Sequence, residues 1–220
     1  MSKRRWLLPL LLSLPLAAFI LFLGGCLPVG LGDPEASKVD ARLTGVWEEL
    51  DNGAPKGTLV ALVPFDGRAH LMRTAAIERT ADGVKVKAGE GCYKAWVTAI
   101  GGRTFVTAQP LYLKEALGDA KMPGFIVLRV DLAADGSKLK VWAIDGDFEP
   151  LAPLAKLPGH MSYEPPPAGE KTLSEEEARA LLRKVIEENA GNEKLYDGTA
   201  EYARVTDKAV LKALFEGVIG

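Results

Sequence analysis

Four glycine-containing dipeptides punctuate the chain between residues 43 and 147: Asp66-Gly67, Asp82-Gly83, Gly101-Gly102 and Asp135-Gly136. Each lies between runs rich in β-branched and aromatic residues. Dipeptides of this kind supply the positive φ that two-residue hairpin loops demand, so each predicts a pair of antiparallel strands. Strands are expected near 43–50, 57–65, 68–79, 84–88, 93–100, 103–109, 125–132 and 138–145, with Gly89 and Gly91 alternatively marking a bulge in one long bent strand. The expected fold is therefore mainly β: an antiparallel meander of about eight strands, closed as a small barrel or packed as a sandwich.

The turns fix register, and register can be tested against side-chain chemistry. A two-residue loop at Asp135-Gly136 sets Asp131 opposite Lys140 and Arg129 opposite Trp142, an ion pair and a cation–π pair. Ile126, Leu128, Val130 and Leu132 then share a face with Leu139, Val141 and Ala143. At Asp82-Gly83 the same reasoning sets Glu78 opposite Lys87 and Thr80 opposite Lys85. Ala75, Ile77, Val84 and Val86 take the inner face, and Arg73 points inward by parity unless a bulge turns it outward. At Gly101-Gly102, Trp96 faces Thr107 and Thr98 faces Phe105. Both faces of Thr58–Phe65 are apolar, so that strand needs cover on both sides.

Composition narrows the function. Apolar residues at 48% and charged residues at 25% are those of a globular protein. A formal net charge of −2 provides no basic field, so nucleic acid is not an expected partner. Two cysteines exclude a disulfide-dense scaffold, and two histidines leave little for metal or imidazole chemistry.

The N-terminal residues carry an address. Lys3, Arg4 and Arg5 precede a charge-free run from Trp6 to Leu23, in the order of a secretory signal. Leu23-Gly24-Gly25-Cys26 follows. This segment resembles the lipobox of bacterial lipoproteins, in which two small residues precede an obligatory cysteine. The resemblance implies cleavage before Cys26, a diacylglyceryl thioether on its sulfur and an acylated amine, which together anchor a body without a membrane-spanning helix. In that family an Asp after the cysteine favours the inner membrane. Leu27 stands here, so the implied site is the outer membrane of the cell envelope, facing the periplasm.

The chain accordingly divides into a signal peptide (1–25), a lipidated Cys26 with a Pro/Gly-rich tether (26–40), a barrel-like domain (41–148), a Pro-rich connection (149–173) and a C-terminal helical segment (174–220). In the last, Ser174 to Glu177 reads as a capping box before the stripe Ala178, Leu181, Leu182, Val185 and Ile186. A second helix is expected from about Asp207, with Val210, Leu211, Leu214, Phe215 and Val218 on one face. Tyr202 to Val205 is read as a short strand between them. Both helices are expected to pack on the barrel.

Gly45-Val46-Trp47, at the start of the first strand, resembles the Gly-x-Trp signature of lipocalins. The resemblance implies a Trp plugging one end of an eight-stranded barrel and an Arg late in the barrel packing over it, with Arg129 and Arg103 as candidates. The short connection from Asp51 to Lys56 and the Pro-rich segment depart from that family.

Motifs for catalysis are sparse. No Gly-x-Ser-x-Gly elbow occurs, His70 and His160 read as surface or rim residues, and Asp145, Asp147 and Glu149 read as a solvated turn rather than a cation site. The chain is expected not to be an enzyme and to need no cofactor or metal. The aromatic strand residues Trp47, Tyr93, Trp96, Phe105, Tyr112, Phe125 and Trp142 leave two readings. In the first, Trp47, Arg73, Trp96 and Phe105 line a cavity for a small apolar or lipid-like ligand that the protein binds or carries in the periplasm. In the second, the barrel is filled and the protein is a structural or assembly lipoprotein docking another envelope protein. Cys92, the thiol left once Cys26 is lipidated, is either buried or reserved for another chain.

Overall fold

The computed structural model describes residues 26–111, 124–160, 162–167 and 169–216. The signal segment with its lipobox residues before Cys26, together with Tyr112 and Val218, lies outside them. Nine strands form one antiparallel sheet: β1 (Cys26–Leu27), β2 (Gly45–Asp51), β3 (Ala54–Pro64), β4 (His70–Thr80), β5 (Gly83–Ile100), β6 (Arg103–Pro110), β7 (Phe125–Leu132), β8 (Lys138–Ile144) and β9 (Tyr196–Arg204). Consecutive pairing from β2 to β8 makes the meander. β9 then pairs with both β8 and β2, closing an eight-stranded barrel, while β1 adds two residues beside β7. Closure pairs the edges of β2 and β8 that the meander leaves open, while among the described residues Gly83–Ala88 of β5 pair with β4 alone.

The order differs from the expected meander followed by two helices. Helix α1 (Glu175–Asn189) precedes the closing strand, and α2 (Lys208–Leu214) follows it. The eighth barrel strand therefore comes from the expected C-terminal helical segment. The two strands expected at 84–88 and 93–100 are one strand of 18 residues, β5. Its pairing with β4 is irregular opposite Thr74. There a Cβ on Gly89 would sit 2.8 Å from the Thr74 carbonyl oxygen, so the close approach of the two backbones requires glycine.

The register at two turns is as expected. Asp131 pairs with Lys140 and Arg129 with Trp142, and Trp96 pairs with Thr107 and Thr98 with Phe105. The Arg129 guanidinium lies 4.3 Å from the Trp142 ring centroid, while its ion pair is with Asp131 on its own strand. At the Asp82 turn the loop residues are Ala81-Asp82, so Glu78 pairs with Lys85 rather than Lys87; a slip of two leaves every side chain on its expected face. The Asp66 turn has three loop residues, because the Asp66 carboxylate accepts from the backbone N–H of both Arg68 and Ala69.

Three cores follow from this closure. The barrel interior holds Trp47, Val60, Leu62, Met72, Tyr93, Ala95, Val106, Ala108, Ile126, Leu128, Val130, Leu139 and Tyr202. A second core lies outside the wall, where Phe105 and Val127 meet Leu27, Val29, Leu31, the 3-10 segment Glu149–Lys156 and the apolar stripe of α1. A third lies under α2, whose Val210 and Leu214 cover Val46, Leu59, Ala61 and Ala75. The strand with two apolar faces is thus covered twice, by the interior through Val60 and Leu62 and by α2 through Leu59 and Ala61. Helix α1 begins on the expected capping box: Ser174 Oγ accepts from Glu177 N–H, and the Glu177 side chain accepts from Ser174 N–H.

Residues 27–31 are not a loose tether. Leu27, Val29 and Leu31 are almost wholly buried. The Leu31 carbonyl accepts three side-chain hydrogen bonds, from Trp96 Nε1 at 2.8 Å, Thr107 Oγ1 at 3.1 Å and Thr98 Oγ1 at 3.3 Å. A Cβ on Gly30 would lie 2.7 Å from Trp96 Cζ2, so the strap lies directly on the indole. Ser37 Oγ extends the attachment, donating to the Val97 carbonyl and accepting from Val97 N–H. Among the described residues no helix is long and apolar enough to cross a membrane.

Candidate functional site

The strand directions give the barrel two ends. At one, the turns 65–69, 100–103 and 132–138 gather around the entry to β2 and the exit of β9. At the other lie the 51–54 and 80–83 turns, the 144–196 connection, and Cys26 beside the start of β7.

The first end is sealed by Trp47 and Arg204. Trp47 is fully buried, and its Nε1 donates to the Leu43 carbonyl. The Arg204 guanidinium lies 4.3 Å from the Trp47 ring centroid. Its Nε donates to the Gly136 carbonyl at 2.9 Å, Nη1 to Thr44 at 2.7 Å and Nη2 to Arg42 at 2.5 Å. One side chain therefore ties the entering segment and a hairpin turn to the last barrel strand. The planar fork of arginine suits this work, since its donors diverge while its face remains free to stack. Arg129 and Arg103, the sequence candidates for the arginine over Trp47, do not fill that place. Arg204 does, and its only sequence signal was its position at the end of the short strand expected at 202–205.

Behind the sealed end, among the described residues, the open space is small. A cavity of about 40 Å³ is lined by Trp47, Val60, Leu62, Met72, Val106, Leu128, Val130, Leu139, Val141 and Tyr202. That is room for about one small group, against roughly 300–1,000 Å³ in pockets for drug-sized ligands. Of the four residues expected to line a ligand cavity, only Trp47 does so. Trp96 and Phe105 keep the expected register but face outward. Trp96 is covered by the 27–31 strap and meets Phe125 edge-on, with ring centroids 6.0 Å apart, while Phe105 joins the core under the strap and α1. Arg73 also lies on the outer face, in line with Ala61 and Ala75, and stands opposite Cys92. The parity that grouped Arg73 with Ala75 and Ile77 holds, but the apolar side of that hairpin is completed by α2 rather than by the barrel interior.

Glu49, buried near the Cys26 end, accepts from Lys56 Nζ at 2.7 Å. Its charge and, more strongly, burial push the Tyr202 hydroxyl far above the usual tyrosine range. On the outer face, buried Glu48 holds Arg79 through two bonds of 2.7 and 2.6 Å. Surface hollows lie beside the Asp40–Arg42 and Glu35–Arg68 ion pairs.

Both histidines are buried rather than on the surface, His70 at the rim where β4 begins. His70 is buried, with Nε2 3.3 Å from Thr44 Oγ1, and desolvation lowers its pKa against the opposing pull of Asp40. His160 is buried too. Its Nδ1 accepts from Ser162 N–H, which leaves Nε2 to donate to the Gly146 carbonyl at 3.2 Å. The Asp145 carboxylate accepts from Asp147 N–H, and Asp147 accepts from Ser162 Oγ, as in a hydrogen-bonded turn. Among the described residues no group of three or more His, Cys, Asp or Glu is placed to hold a metal ion.

Cys26 pairs with Ile126 in register, and its side chain packs on the rim of the interior core. Burial raises its thiol pKa, partly offset by the backbone N–H of Gly124. Cys92 is half-buried, its pKa also raised by desolvation and drawn back by Arg73.

The fold and these residues define a closed, eight-stranded antiparallel barrel with one sealed end. Comparison of the chain with protein-family models, curated proteins and solved structures returns no match.

Proposed function

We propose that this is a lipid-anchored protein of the bacterial cell envelope, attached through Cys26 to the outer membrane and facing the periplasm. Its barrel is a filled scaffold that works through its outer surface, as a structural or assembly lipoprotein docking another envelope protein. The observation that carries the scaffold reading is the cavity behind the sealed end, about 40 Å³, far below the volume a lipid-like ligand needs. Removal of Trp96, Phe105 and Arg73 from the candidate lining supports it further. The anchor reading rests on the lipobox residues Leu23-Gly24-Gly25-Cys26 behind a charge-free segment. Arg204 stacked on Trp47 supports kinship with lipocalins, while the helix inserted before the closing strand departs from their order.

Native mass spectrometry of residues 27–220, purified from bacteria and compared with a delipidated, refolded sample, tests the scaffold reading. A bare chain mass in both is expected. A reproducible extra mass removed by extraction would overturn it in favour of a carrier. Cys26→Ser tests the anchor: an unprocessed precursor without acyl label is expected, and normal processing would refute lipidation.

A further inference from the structure

An anchored body can hang on a flexible leash or rest directly on the bilayer, and the residues around Cys26 discriminate between the two. Leu27, the very next residue, is fully buried, and Val29 and Leu31 follow it into the outer core. No slack chain separates the anchoring residue from the fold. Paired residues of an antiparallel ladder point to the same face, so Cys26 shares the inward direction of its partner Ile126. Its Sγ therefore sits just inside the rim of the barrel mouth. Acyl chains on that sulfur have two ways to go. The interior cavity of about 40 Å³ lies toward the sealed end, lined by Trp47, Leu62 and Leu139, and is far too small for them. The opening nearest Cys26 is the mouth at the end of the barrel where β7 begins.

We propose that the barrel mouth bearing Cys26 is a membrane-docking face, so that the barrel stands on the lipid surface with the Trp47–Arg204 end directed away from it. This rests on the lipidation proposed above. Leu111, exposed at the end of β6, lies on the docked side; its N–H bonds to the Cys92 carbonyl beside the interior residue Tyr93. Ala134, exposed in the turn after β7, lies on the far side. The eight residues of β7 separate the two ends by about 25 Å of strand.

The test uses the full chain, processed in a bacterium and reconstituted into phosphatidylcholine–phosphatidylglycerol vesicles carrying doxyl-labelled lipid. In a Cys92→Ala background, Leu111→Cys and Ala134→Cys are each labelled with an environment-sensitive fluorophore, and the acyl mass of each preparation is checked. With the acyl mass present, quenching severalfold stronger at 111 than at 134 is expected. Equal, weak quenching at both positions with the acyl mass intact would overturn the docked orientation while leaving the anchor standing. Absence of the acyl mass would refute the anchor and the orientation with it.

Discussion

Replacing Arg204 with alanine tests the seal at the closed end most sharply. The substitution removes three hydrogen bonds to the carbonyls of Gly136, Thr44 and Arg42 and the stacking on Trp47. Bonds from a charged donor contribute about 1.5–3 kcal/mol each, but Arg204 is only half-buried and water replaces part of what is lost. With the stacking at about 1 kcal/mol, a net loss of about 3–5 kcal/mol is expected. For a urea m-value of about 2 kcal/mol/M, the unfolding midpoint falls by roughly 1.5–2.5 M. Urea titration followed by tryptophan fluorescence reads this directly, because buried Trp47 reports on the same end. Arg204→Lys keeps the charge but reaches fewer carbonyls, and it should recover less than half of the loss. A cycle with Trp47→Phe isolates the stacking as a coupling of about 1 kcal/mol. A midpoint shift below 0.25 M for Arg204→Ala, or full recovery by Arg204→Lys, would refute the reasoning.

Further expectations follow from single features. Gly30→Val places side-chain atoms in the space occupied by the Trp96 indole; a loss of about 1–3 kcal/mol is expected by chemical denaturation, and wild-type stability would show that the strap is not seated there. Ser174→Ala deletes the α1 cap and should cost about 1 kcal/mol, with Ser174→Asp close to neutral in the same assay. His70 is buried with a lowered pKa, so the unfolded chain takes up its proton first as pH falls. Stability is then complete above about pH 6.5 and declines below it towards the lower folded pKa, by at most about 1.4 kcal/mol per pH unit. Denaturation curves between pH 7.5 and 5 should show that slope, and His70→Gln should flatten it; an unchanged slope would assign the pH dependence elsewhere.

Much of the wall was legible because turn chemistry fixes register locally. Asp135-Gly136 and Gly101-Gly102 placed Asp131, Arg129, Trp96 and Thr98 opposite their actual partners. Which face is the inside is a tertiary question, and there local reasoning failed. Trp96 and Phe105 form a sound aromatic face, but the side that is covered depends on Leu27, Val29 and Leu31. Their spacing of two was a strand-like signal, masked by Pro28, Gly30 and Gly32. The closing strand β9 was legible only at its end, since Tyr196-Asp197-Gly198-Thr199-Ala200-Glu201 has no apolar run. It holds its place through two ladders, through Arg204 and through Tyr202 in the interior core. Arg204 itself could not be distinguished from Arg103 or Arg129 by any local motif.

The position of β9 has a consequence for synthesis. A chain synthesised from its N-terminus presents the β2–β8 meander long before the partner that joins its two edges. Until residues 196–204 emerge, β2 and β8 are both unpaired along one side, the state in which β-proteins are most prone to associate wrongly. Pairing ends so distant in sequence is also entropically slow. The final step of folding is thus timed by residues 196–204, and a chain cut short before residue 196 should be recognised as incomplete by proteases and chaperones, however well its first seven barrel strands have formed.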